Sequence, residues 1–158
     1  MTSDRSKTIS FPRLNARNLE GLDVKLPDAF DGDRNVVLVA FRREHQSLVD
    51  SWVPWLEERV ALEPEVKVFE VPVIGRMWAP MRRFIDGGMA ASIKVPRILQ
   101  RTLTVYGPVD ALTEPLGITD RSTITVLLLD AKGSVLWSCT GGHTHSKATQ
   151  LSSQLSSQ

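Results

Sequence analysis

Six consecutive apolar residues, Val36-Val37-Leu38-Val39-Ala40-Phe41, stand out from a mixed N-terminal third. Their β-branched character predicts a strand buried on both faces. The period then changes. Leu48, Trp52 and Leu56, flanked by Val49, Val53 and Val60, recur at helical spacing, with Pro54 inside the stripe as an expected kink. Val66-Lys67-Val68-Phe69-Glu70-Val71 predicts a second central strand. Met77, Trp78, Met81, Phe84 and Ile85 return to helical spacing and are stopped by Gly87-Gly88. Residues 89–101 fit helix or loop, 102–106 a short strand, and 109–116 a short helix ending at Gly117. Ile124 to Leu129 is a third apolar strand, turned by Asp130-Ala131-Lys132-Gly133 into a hairpin partner over 134–139. Gly141-Gly142 leads into a last helix, 146–156, with Ala148, Leu151 and Leu155 as its apolar stripe. Residues 11–34, with Phe11-Pro12, Gly21, Pro27 and Gly32, read as an extended arm with turns.

Strands alternating with helices, then a hairpin and a terminal helix, imply an α/β fold: a central mixed sheet flanked by helices on both faces. The expected organisation is an N-terminal arm over 1–34 packed on one domain over 35–157, with an insertion between the second core strand and the C-terminal half. A chain of 158 residues, 42% hydrophobic and 23% charged, is sized for one such core. The net charge of +1 gives no global attraction to nucleic acid or membrane. Residues 1–10 are polar and contain Asp4, which does not read as a targeting peptide, so a cytoplasmic location is expected. No run approaches the ~18 apolar residues needed to span a bilayer. With one cysteine, Cys139, the chain has neither an internal disulfide nor a CxxC motif.

Phe11-Pro12-x-Leu14, Leu19-x-Gly21-x-x-Val24-x-Leu26-Pro27, the strand 36–41, Leu116-Gly117-Ile118 and Leu129-Asp130-x-x-Gly133-x-x-Leu136-Trp137 together resemble the thioredoxin-like and peroxiredoxin-like superfamily over nearly the whole chain. Within it the chain looks most like the mitochondrial ATP synthase assembly-factor family and its bacterial relatives. The cues are Phe41-Arg42, Trp52, Glu70-x-Pro72 and Met81-Arg82. In thioredoxins the strand matching 36–41 runs into a CxxC at a helix start, where the helix N-terminus stabilises a thiolate. In that alignment Gln46 and Val49 take the cysteine positions, and Pro54 matches the proline that follows the second cysteine. The peroxiredoxin PxxxTxxC pattern falls on Arg43, Ser47 and Asp50, of which only the hydroxyl is kept. Ser122-Thr123 stands where thioredoxins carry a cis-proline. The resemblance therefore implies the fold without its redox chemistry.

Other candidate chemistry is local. Arg42, Arg43 and His45 sit where the active loop of the resembled family sits and read either as a basic pocket mouth for a small anion or as a solvated loop partly neutralised by Glu44. Cys139 reads as a buried small residue at a strand end or, alternatively, as the single thiol of an oxidoreductase or peroxidase. His143-Thr144-His145 lacks the three or four ligands a zinc site needs, so no metal and no cofactor is expected; Thr144 or Ser146 reads as a helix cap. Gly141-Gly142 fits an anion on free backbone N–H groups. The segment 75–102 carries six basic side chains (Arg76, Arg82, Arg83, Lys94, Arg97 and Arg101) against Asp86 alone, together with Trp78 and every methionine after Met1. Methionine and arginine suit adaptable interfaces, so Arg76, Trp78, Arg82, Arg83 and Arg97 join Arg42, Arg43 and His45 as candidate binding residues for a protein partner with an acidic or amphipathic surface. The resemblance implies membrane subunits of ATP synthase as that partner. The oligomeric state stays open.

Overall fold

The computed structural model describes residues 8–74 and 101–156. In chain order the elements are β1 (Leu14–Asn18), β2 (Asp23–Leu26), β3 (Arg34–Ala40), α1 (Gln46–Leu62), β4 (Val66–Ile74), β5 (Leu103–Tyr106), α2 (Asp110–Leu116), β6 (Thr125–Asp130), β7 (Val135–Thr140) and α3 (His145–Ser156). Among the described residues the strands form one seven-stranded mixed sheet in the order β2-β1-β5-β4-β3-β6-β7. β3, β4 and β5 run parallel, while β6 and β7 return antiparallel on one side and β1 and β2 on the other.

The apolar run of β3 lies at the centre of this order. Val36, Val37, Leu38 and Val39 are each at most 1% exposed, so both faces of the strand are covered, as a continuous rather than alternating pattern requires. Val36 and Leu38 face one core layer with Val126, Leu128, Trp52 and Leu56 of α1, and Leu151 and Leu155 of α3. Val37 and Val39 face the other, with Phe69, Val71, Leu127 and Leu129, Leu112 of α2, and Phe11 and Phe30 from the N-terminal stretch. The first layer will be called the α1 face.

The stretch read as an arm is extended but not free. Residues 14–26 form a hairpin that adds β1 and β2 to the sheet, with β1 pairing β5. Asn18 closes its turn: Asn18 Oδ1 accepts the Glu20 and Leu22 N–H groups at 2.9 and 3.0 Å, and Gly21 takes a left-handed φ of 89°. Pro54 does not end α1, which continues to Leu62 with Val49, Trp52 and Leu56 buried. β4 likewise continues past Val71 through Pro72, which pairs in register with Ala40. α2 stops at Gly117 (φ 69°), and Thr144 caps α3, its Oγ1 accepting the Lys147 N–H at 3.2 Å. The helix expected over 77–85 and the ambiguous stretch 89–100 lie outside the described residues. No helix among the described residues is long and apolar enough to cross a membrane.

Trp52 is the largest of the fully buried side chains among the described residues. Its indole Nε1–H donates to the Gly141 carbonyl at 3.1 Å, tying α1 to the loop after β7. Trp52→Ala removes that bond and leaves a cavity on the α1 face. The expected loss is about 3–5 kcal/mol of unfolding free energy, read from the urea midpoint. A loss below about 1 kcal/mol would show that the α1 face does not depend on this contact.

Candidate functional site

The C-terminal ends of the parallel strands β3 and β4 meet the start of α1, and most of the sequence's candidate residues within the described range gather there. A 3₁₀ turn at Arg43–His45 links Phe41 to α1. Arg42, Arg43 and Glu44 are exposed, and Arg42 pairs loosely with Glu44 at 4.0 Å. Of the two readings of this loop, pocket mouth or solvated loop, His45 does not fit the solvated one: only 2% of it is accessible. The turn folds its ring inward. His45 Nδ1 accepts the Phe41 N–H at 3.1 Å, and the ring stands edge-on to Phe41. Among the described residues His45 Nε2 is buried with no hydrogen-bond partner.

Gln46 and Val49, the positions aligned with the thioredoxin cysteines, both have structural roles. Gln46 Nε2 donates to Asp50 Oδ1 at 2.9 Å one helical turn on, and Gln46 also hydrogen-bonds Glu70 on β4. Val49 is buried in the α1-face core. Asp50 is exposed. Glu70 is a site residue that the sequence reading used only as a cue of resemblance. Its signal was available: Glu70 shares the inward register of Val66 and Val68, where alternation calls for an apolar side chain. Burial pushes its carboxyl above the usual range; the Gln46 bond opposes this and the Asp50 charge adds to it. Because folding raises this pKa, the stability linked to Glu70 is fully present below the ordinary carboxyl range. It is lost as pH rises through the folded value.

Asp120 completes the cluster from the loop before β6. Ser122 holds its carboxyl below the usual range, through the hydroxyl first and the N–H (2.9 Å) second, with Arg42 adding a smaller attraction. Asp120 thus lies near Arg42 and the His45 ring. Ser122 and Thr123 precede β6 where thioredoxins carry their proline.

Cys139 lies elsewhere. It sits on β7, at the edge of the sheet among the described residues and separated from β3 by β6. It was read as a buried residue ending a core strand; instead it is half-buried, because β7 turns Ser138 and Thr140 outward and only its other side faces the α1-face core. Burial raises the thiol to about 11, against a smaller opposing effect of Lys147.

The loop read as an anion cradle is a packing device. The Gly141 N–H donates to the Ile124 carbonyl and the His143 N–H to Ser51 Oγ, both at 2.9 Å. A Cβ on Gly142 would press Ser51 Oγ and Leu48, so the absence of a side chain lets the loop lie against α1. The His143 ring packs edge-on to Trp52, and His145 is exposed at the start of α3. Among the described residues no group of three or more His, Cys, Asp or Glu side chains is arranged to hold a metal ion. Arg76, Trp78, Arg82, Arg83 and Arg97 lie outside the described residues.

No family model matches the chain, and no curated protein sequence does. Solved structures do. Yeast Sco1 with copper bound superposes with a TM-score of 0.62 at 12% identity, covering 96% of each chain. A DsbF homologue from Corynebacterium diphtheriae gives 0.59 at 16% identity, covering 98% of this chain and 90% of its own. BsSco, a member of the Sco family of cytochrome c oxidase assembly proteins, gives 0.55 at 12% identity, covering 94% and 95%. The chain has a thioredoxin-like fold. At these identities the likeness speaks for architecture alone.

The Cys139 thiol is expected to react slowly. With its pKa near 11, only about one molecule in ten thousand carries the thiolate at pH 7. Native protein should label with a maleimide at least about tenfold more slowly than protein unfolded in urea, and faster as pH rises. Equal rates in the two states would contradict the burial of the sulfur.

Proposed function

We propose that the chain is a redox-inactive thioredoxin-like domain that works by binding a protein partner, as an assembly factor or chaperone. The observation that carries this reading is the occupancy of the two catalytic positions. Neither Gln46 nor Val49 can form a thiolate, Gln46 is tied to Asp50 and Glu70, and Val49 belongs to the core. Cys139, the remaining thiol, lies two strands from β3, and its raised pKa works against nucleophilic use. Structural neighbours described as assembly proteins fit the same direction without fixing it.

The finer reading follows the resemblance to the mitochondrial ATP synthase assembly-factor family. The partner is then a membrane subunit with an acidic or amphipathic surface, approached through Arg42 and Arg43 and the basic, methionine-rich segment 75–102. Charge set against the chain's own average suits steering and specificity more than folding, since exposed arginines add little stability.

Insulin reduction and peroxide consumption test the absence of redox function. Both rates should stay at the level of protein-free controls, in wild type and in Cys139→Ser alike. Turnover that vanishes in Cys139→Ser would overturn the binding reading in favour of a single-cysteine oxidoreductase.

A further inference from the structure

The loop Phe41–His45 holds a donor without an acceptor among the described residues. His45 Nδ1 accepts the Phe41 N–H, so the neutral ring carries its proton on Nε2, and that N–H is buried with no partner among the described residues. A buried donor left unsatisfied is costly, and an incoming acceptor would recover part of that cost. Two neighbouring features favour a negatively charged acceptor. α1 begins with no side-chain cap and no acidic residue in its first turn, leaving the positive end of its dipole uncompensated from within the helix. The Arg42 side chain is 55% exposed and, among the described residues, its ion pair is the loose 4.0 Å contact with Glu44, a pair easily exchanged.

Asp120 shows which chemical group this position accommodates. Its carboxylate lies near Arg42 and the His45 ring, yet its Oδ1 is engaged by the Ser122 N–H and hydroxyl. It therefore occupies the rim as a tethered competitor rather than as the partner of Nε2. Arg42 and Asp120 are both exposed, so the charged groups nearest the loop face solvent.

We propose that this loop captures a carboxylate of an acidic segment on the protein partner. The His45 Nε2–H supplies the directional hydrogen bond, Arg42 and the start of α1 supply the charge, and Asp120 opposes entry. The proposal rests on the protein-binding reading and assigns its point of contact to the end of the sheet where thioredoxins place their cysteines.

The probe is an acetylated hexaglutamate peptide, with hexaglutamine as control, titrated against protein carrying ¹⁵N-labelled imidazoles. Hexaglutamate should shift the His45 Nε2 resonance and hexaglutamine should not. Binding should weaken as salt rises from about 0.02 to 0.2 M. Arg42→Gln, at an exposed position, should weaken it about two- to fivefold, and Asp120→Asn should tighten it. Hexaglutamate binding that leaves His45 unshifted and is lost in Arg82→Glu/Arg83→Glu would overturn the proposal by placing the acidic contact in the basic segment. No binding by either peptide would overturn it as well. Neither result touches the parent reading, which fails only on Cys139-dependent turnover.

Discussion

A strand with no exposed face has to be covered twice, and β3 imposes that requirement on the rest of the chain. Val36 and Leu38 call for a helical layer on one side, supplied by α1 and α3. Val37 and Val39 call for another, supplied by α2 and the two phenylalanines of the N-terminal stretch. Each valine so placed contributes about 1.5–3 kcal/mol relative to exposure. The same burial fixes where α1 begins, because Trp52 and Leu56 can meet Leu38 only if the helix starts directly above the C-terminal end of β3. The site is a consequence of the core: whatever residues occupy the turn from 41 to 46 are delivered to that end of the sheet.

In this chain that end has been given to polar and packing side chains rather than to sulfur. Gln46 joins Asp50 to Glu70, and His45 turns inward beneath its own loop. Val49 continues the α1-face core. The glycines of the 141–142 loop bring a second segment against α1, held by Trp52 and Ser51. The turn from β3 into α1 therefore presents no thiol among these side chains. Cys139, on a strand at the sheet edge among the described residues, is outside its reach.

Much of this was legible in the sequence because the strong signals are long and periodic. The runs at 36–41 and 124–129, the stripe Val49-Trp52-Leu56 and the stripe Ala148-Leu151-Leu155 each match an element whose buried face is the one their spacing indicates. The N-terminal hairpin was missed because its strands are short and its turn depends on the Asn18 side chain, a tertiary-looking bond made locally. His45 was misplaced because charge pattern describes Arg42 to Glu44 well and says nothing about a ring captured by a backbone N–H. Cys139 was placed too deep because strand pattern gives alternation but not position in the sheet, and an edge strand buries one side incompletely. Glu70 illustrates the converse: a charged residue in an inward register was visible, but its meaning required knowing that Gln46 and Asp50 stand above it.

If positions 46 and 49 hold the places of a catalytic cysteine pair, as the proposed function requires, thiols restored there should pair and be activated by the start of α1. The double variant Gln46→Cys/Val49→Cys tests it most directly, with Cys139→Ser as background. The account predicts that the two new thiols close into a disulfide under mild oxidation, that the first has a thiol pKa below the ordinary ~8.5, and that the variant reduces insulin where the parent does not. A folded variant whose thiols remain unpaired, with ordinary pKa values and no reductase activity, would contradict it.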